Sequence, residues 1–155
     1  PTQKLATLLT IGGILGIAFQ PFLGKAVDKL GERTILAAEA FMLIFVCILY
    51  GTAKNIFSET TALLVVSACF IAAQLLVSFG MARSTYLKKI AKDPSHIAPT
   101  LTMATTIDHI FSISTAILAG YLWNRFNYTW VFIFAACFAG VNLFSALKIR
   151  TPGKV

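Results

Sequence analysis

Between residues 24 and 33 the chain reads Gly-Lys-Ala-Val-Asp-Lys-Leu-Gly-Glu-Arg, a dense charged stretch set between two long hydrophobic segments. Residues 5–24 (LATLLTIGGILGIAFQPFLG) carry no charge, and residues 34–53 (TILAAEAFMLIFVCILYGTA) carry only Glu39. As helices rising about 1.5 Å per residue, both are long enough to cross a hydrocarbon layer about 30 Å thick. The charged stretch is then expected to form a tight loop at a membrane surface.

The same pattern continues along the chain. Residues 60–82, 101–123 and 129–147 are further windows of spanning length, separated by charges and turn formers. With 57% hydrophobic and 12% charged residues and a mean hydropathy of +0.80, the composition is that of an integral membrane protein. Uniformly apolar windows of this length satisfy their backbone polar groups as helices, whereas barrel strands would alternate. The expected fold is an all-α integral membrane domain over residues 1–155, with five transmembrane helices.

The formal charge of +7 is explained by topology rather than by nucleic acid. Lys25, Lys29 and Arg33 follow the first span, Arg83, Lys88, Lys89 and Lys92 follow the third, and Lys148, Arg150 and Lys154 follow the fifth. Only Lys4, Lys54 and Arg125 fall on the opposite side. The positive-inside rule therefore places the basic loops and the C-terminus in the cytoplasm of a multi-pass cell-membrane protein, with the N-terminus of the segment outside. An outward N-terminus at Pro1 ahead of five helices suggests a piece of a longer protein. Cys47, Cys69 and Cys137 all lie within spans at spacings unlike a metal motif; neither metal nor other cofactor is expected, and the thiols serve as small packing groups.

Several local features carry expectations. Gly12 and Gly16, like Ala136 and Gly140, form small-xxx-small pairs suited to close helix approach. Pro21 after Gln20 ends the first span or marks a hinge. Glu39 either reaches interfacial water or a loop cation, or pairs as a buried charge with another helix. Gln74 is the strongly polar side chain inside the third span, bonded to a neighbouring helix or facing a solute path. The segment from Arg83 to Pro99 suits a short interfacial helix that turns at Asp93 and Pro94. Tyr121, Trp123, Phe126, Tyr128 and Trp130 form an interfacial aromatic belt.

The fourth span carries the most chemistry. Projected at about 100° per residue, Thr102, Thr105, Thr106, Asp108, His109, Ser112 and Thr115 share one half, with Met103, Ile107, Ile110, Phe111, Ile117 and Leu118 on the other. Lipid is a poor neighbour for the polar half, which must face other helices or a watery cavity. An acid next to an imidazole inside a span is a candidate proton or solute site; a structural role bridging helices is the alternative. The candidate residues are Gln74, Thr105, Asp108, His109 and Ser112.

The charged stretch closely resembles the loop motif of major facilitator superfamily transporters, Gly-x-x-x-Asp-(Arg/Lys)-x-Gly-(Arg/Lys)-(Arg/Lys). Gly24, Asp28, Lys29, Gly31 and Arg33 match, whereas Glu32 replaces a basic residue, as suits the weaker copy between the eighth and ninth helices. Gly120 to Trp123, followed by Phe126 to Phe132, resembles the outer turn before the last helix. The resemblance implies helices eight to twelve of a two-domain transporter whose missing N-terminal half supplies the rest of the cavity. It also implies that Asp28, Lys29 and Arg33 make state-dependent contacts with that half. By family position the first, third and fourth spans would line the cavity, and the second and fifth would lie peripherally.

The function expected is secondary active transport of a small organic solute by alternating access, coupled to protons or another ion. The partners expected are the lipid bilayer, the other half and the solute. A scaffold or partner subunit associating through its glycine and alanine faces is the alternative. An enzyme is not expected, because no nucleophile motif, metal pair or second acidic site accompanies Asp108 and His109.

Overall fold

The computed structural model describes residues 2–149, apart from the side chains of residues 2 and 4; Arg150 and Lys154, and the side chain of Lys4, thus lie outside the described residues. The chain forms α1 (Thr2–Leu30), α2 (Glu32–Ile56), α3 (Glu59–Val77), α4 (Gly80–Ile90), a 3₁₀ turn (Pro94–His96), α5 (Ile97–Arg125) and α6 (Tyr128–Lys148). Among the described residues it is all-helical, with five stretches long and apolar enough to cross a membrane: Leu5–Leu30, Glu32–Ile56, Glu59–Ile90, Pro94–Arg125 and Tyr128–Lys148. By composition the chain is a multi-pass membrane protein.

The expected loop at 24–33 is mostly helix. α1 runs through Pro21 and on to Leu30, and the reversal into α2 is concentrated at Gly31, whose φ of 82° is left-handed. Glycine adopts that conformation without the Cβ clash other residues meet. The helix persists because Leu23 and Val27, one turn apart, are buried in the main apolar core, so ending it at Gly24 would expose both. Pro21 accordingly marks no break in α1.

The third window is likewise two helices. At Ser78 and Phe79 the backbone tightens to i→i−3 bonds: Ser78 N–H donates to Leu75 O at 3.0 Å and Phe79 N–H to Leu76 O at 3.1 Å. A serine and a glycine, Ser78 and Gly80, bracket this bend, the residue types that commonly permit one. α4 then leads to Asp93, whose carboxylate accepts the Ser95 N–H at 2.8 Å and caps the 3₁₀ turn. That bond holds the Asp93 carboxyl below the usual range.

Small residues set the helix pairs, as expected where lipid supplies no hydrophobic contrast. α1 and α3 run parallel: a Cβ at Gly12 would sit 3.1 Å from the Gln74 side chain, and one at Gly16 would sit 3.8 Å from Ser78 Oγ. α2 and α6 run antiparallel, where a Cβ at Gly51 would lie 3.2 Å from Phe132 Cβ, and Tyr50 stacks on Phe132 at 4.9 Å. Gly140 meets open space, so the expected Ala136 and Gly140 seam is not formed; buried Ala139 and Ala146 supply small residues on α6 instead.

The main core gathers Leu23 and Val27 from α1, Ile35 and Leu36 from α2, Leu76, Phe79 and Ala82 around the α3–α4 bend, and Ala146 from α6. It therefore lies at the end where Lys25, Lys29, Arg33 and Lys88 are exposed, with Lys54 and Arg125 at the far ends of α2 and α5. Beyond that opposite end Asn127 caps α6 by accepting the Thr129 N–H at 2.7 Å, and Trp123 and Tyr128 meet across the turn. α5 has no buried residue and stands off from α2 and α3 along its middle. α2, expected to be peripheral, is instead the most enclosed spanning stretch.

Candidate functional site

The space left by α5 is an open cavity of about 830 Å³ bounded by α2, α3, α4 and α5. α5 contributes Asp108, Phe111, Ser112, Thr115, Ala116 and Ala119, the i, i+3, i+4, i+7 series of a single helical face. Across from it stand Glu39 and Leu43 of α2, Ala73, Leu76 and Val77 of α3, and Arg83 of α4.

Arg83 donates from Nη2 to Glu39 Oε1 at 2.6 Å, short enough for a charge-assisted bond. The Glu39 side chain is 8% exposed and that of Arg83 is 52% exposed, so the arginine reaches water while the carboxylate is held inside. The second Glu39 oxygen, Oε2, is buried with no partner. Of the two roles expected for Glu39, the structure shows the second: the carboxylate is buried and pairs with a charge on another helix, α4, rather than reaching interfacial water or a loop cation, and this pairing makes Glu39 part of the cavity wall.

Seven residues earlier on the same face of α2, Glu32 pairs with Lys89 of α4. Glu32 is 2% exposed although it stands at the mouth of the turn. The two pairs clamp α4 to α2 in antiparallel order. Within the loop motif the exposed charges are Lys25, Asp28, Lys29 and Arg33; Gly24 meets open space, Gly31 makes the turn, and Glu32, the departure from the pattern, is the member locked into the fold. Glu32 and Glu39 are two turns apart on α2, and Arg83 and Lys89 are six residues apart on α4, spacings that match once the two helices lie antiparallel.

The sequence candidates separate on the structure. Asp108 and Ser112 share the cavity, joined by Thr115. Thr105 donates its hydroxyl to Leu101 O at 2.9 Å and does not line the space, nor does His109, one position around the helix from Asp108. Gln74 lies on another face of α3, in a recess of about 420 Å³ with Gly12, Gly16 and Gln20 of α1; the recess adjoins the cavity through Val77. Phe111, placed by helical projection on the apolar half of α5, faces the cavity, because the lining stripe is narrower and turned relative to the expected polar half. Glu39, Arg83 and Thr115 are the polar and charged lining residues absent from the sequence candidates, and Phe111 is the aromatic one.

A third recess, about 470 Å³ between α1, α2 and α3, has Phe19, Met42, Phe45 and Leu75 in its wall and no charged side chain. Among the described residues no cluster of His, Cys, Asp and Glu has the makings of a metal site. Cys47 and Cys69 are buried singly, and Cys137 is exposed on α6. Of the recesses described, the α5 cavity is the one lined by charged side chains. Comparison with known proteins adds no relative: no family model matches the chain, and neither a curated protein nor a solved structure is similar to it.

Proposed function

We propose that the chain is the C-terminal part of a secondary active transporter of the major facilitator superfamily, contributing helices eight to twelve. In this reading it moves a small organic solute by alternating access, with coupling to protons or another ion. One observation carries the reading: an open cavity of about 830 Å³ lies between spanning helices and is lined by Asp108, Ser112, Thr115 and the Glu39–Arg83 pair. Ionisable groups inside spanning segments are costly, and their gathering around one cavity is the mark of a solute or ion path. The volume falls within the range of about 300–1,000 Å³ that encloses a small organic ligand.

The rest of the reading follows the loop motif. Asp28, Lys29 and Arg33 are exposed, so their charges are available to a second helical domain, whose changing contacts would bias inward-open against outward-open states. The basic end faces the cytoplasm by the positive-inside rule. A scaffold role would draw on the small-residue faces, but Gly12 and Gly51 already meet helices of this chain.

The test is proteoliposomes of the native-length gene product, loaded with a pH-sensitive dye and challenged with a panel of small organic solutes under a pH gradient. At least one solute is expected to move protons, and Asp108→Asn is expected to abolish the response. Folded protein that moves no protons with any solute class would overturn proton-coupled transport.

A further inference from the structure

The serine and threonine hydroxyls of α5 fall into two groups. Thr100, Thr102, Thr105, Thr106 and Ser114 each donate to the carbonyl four residues earlier, at 2.7–3.0 Å. Ser112 and Thr115 have no such bond, and among the described residues Asp108 has neither an ion pair nor a hydrogen bond. These three stand at i, i+4 and i+7, on the face that lines the cavity. A helix that crosses a membrane ordinarily satisfies its hydroxyls on its own backbone. Among the serine and threonine hydroxyls of α5, the two left open are those that an occupant of the cavity would meet beside Asp108.

The charge of the wall decides what that occupant is. Glu39 and Arg83 neutralise one another at 2.6 Å, which leaves Asp108 as the uncompensated charge of the lining. Arg83 is already engaged by a buried carboxylate, so its field on a second anion is largely cancelled. Phe111 offers a ring one turn from Asp108, and Leu43, Leu76 and Ala119 supply apolar surface. From this we infer that the cavity takes an organic ammonium ion: a protonated amine that donates to Asp108, with Ser112 and Thr115 accepting or donating beside it and an apolar body against Phe111 and Leu43. The inference rests on the reading of the cavity as a solute site and names the class of solute.

The experiment measures binding, without any gradient, of four probes of similar size to the native-length protein in lipid nanodiscs: phenethylammonium, neutral phenylethanol, anionic hydrocinnamate and zwitterionic phenylalanine. Phenethylammonium is expected to bind at least about tenfold tighter than each of the others, the scale of a hydrogen bond to a charged group. Asp108→Asn is expected to weaken it by about tenfold or more, and Ser112→Ala several-fold, whereas His109→Gln, outside the lining, leaves it unchanged. Tighter binding of hydrocinnamate or phenylalanine overturns the inference, as does undiminished amine binding by a folded Asp108→Asn protein. Should that variant not fold, the preference among the four probes on the unaltered protein still decides. Amine binding without amine flux under a proton or any other ion gradient would sink the transport reading alone; coupled flux of another solute without amine binding would sink this inference alone.

Discussion

Replacing Arg83 by methionine keeps most of the apolar stem and removes the charge, leaving Glu39 in the cavity wall with neither carboxylate oxygen paired. Breaking a fully buried pair by removing one partner costs about 3–5 kcal/mol, because the other charge stays buried. An exposed pair is worth about 0–1 kcal/mol. In this pair the carboxylate is 8% exposed and the guanidinium 52% exposed, so the cost falls between those limits, at about 2 kcal/mol. That corresponds to about a 30-fold drop in the ratio of folded to unfolded protein. Glu39→Gln alone should cost less, under about 1 kcal/mol, because the arginine it abandons is half in water and can be solvated there. The double variant should then be more stable than Arg83→Met alone, a coupling of about 1–2 kcal/mol in a double-mutant cycle. The assay is reversible unfolding in mixed micelles followed by far-ultraviolet circular dichroism. If Arg83→Met costs nothing, or if the double variant loses the sum of the two single losses, Glu39 and Arg83 are not coupled and the wall of the cavity is not held as described.

Two further outcomes follow from packing and capping. Gly51→Ala places a Cβ 3.2 Å from Phe132 Cβ and 3.6 Å from Thr129 O, so the α2–α6 pair must open slightly; Gly51→Leu should cost about 1–3 kcal/mol of overpacking, while Gly140→Ala, which meets open space, should be nearly neutral in the same unfolding assay. Asp93→Ala should loosen the connection between α4 and α5 and speed tryptic cleavage at Lys92, whereas Asp93→Asn, also a good cap, should not. Because the folded Asp93 carboxyl titrates below its ordinary value, its contribution is complete above the unfolded pKa and is lost as pH falls through the folded one; cleavage by an acid-tolerant protease at this connection should rise over that interval.

The helical spans were legible because lipid enforces a simple code of long apolar windows bounded by charge. What that code left open is where a helix stops when its end is polar but anchored. Residues 24–30 carry the charges of a loop, yet Leu23 and Val27 pack on α2 and the α3–α4 bend, so the helix continues and a single glycine makes the turn. The bend at Ser78 and Phe79 was hidden for a related reason: both residues sit inside an apolar window that contains no proline. At the site, Asp108 and Ser112 were found from their polarity within a span. Thr105 and His109 were drawn in by the same criterion, because polarity within a span shows neither that the Thr105 hydroxyl is spent on its own backbone nor that the cavity face is too narrow to include His109. Glu39 was noticed on the sequence and its partner was not, since pairing Glu32 with Lys89 and Glu39 with Arg83 requires knowing that α2 and α4 lie antiparallel. Glu32, noted only as a mismatch to the loop motif, is the most deeply buried charge among the described residues.

The most direct test of a watery cavity within the spanning region is a cysteine-accessibility scan along α5. Cys47, Cys69 and Cys137 are first replaced by alanine, and single cysteines are then introduced from position 108 to position 119 in membranes treated with a hydrophilic, membrane-impermeant thiol reagent. The expected result is a stripe: modification at 108, 112, 115 and 119, with Ile110, Ile113 and Ile117 positions unreactive. Uniform protection along α5, or reactivity without that periodicity, would contradict the presence of a solute cavity on this face.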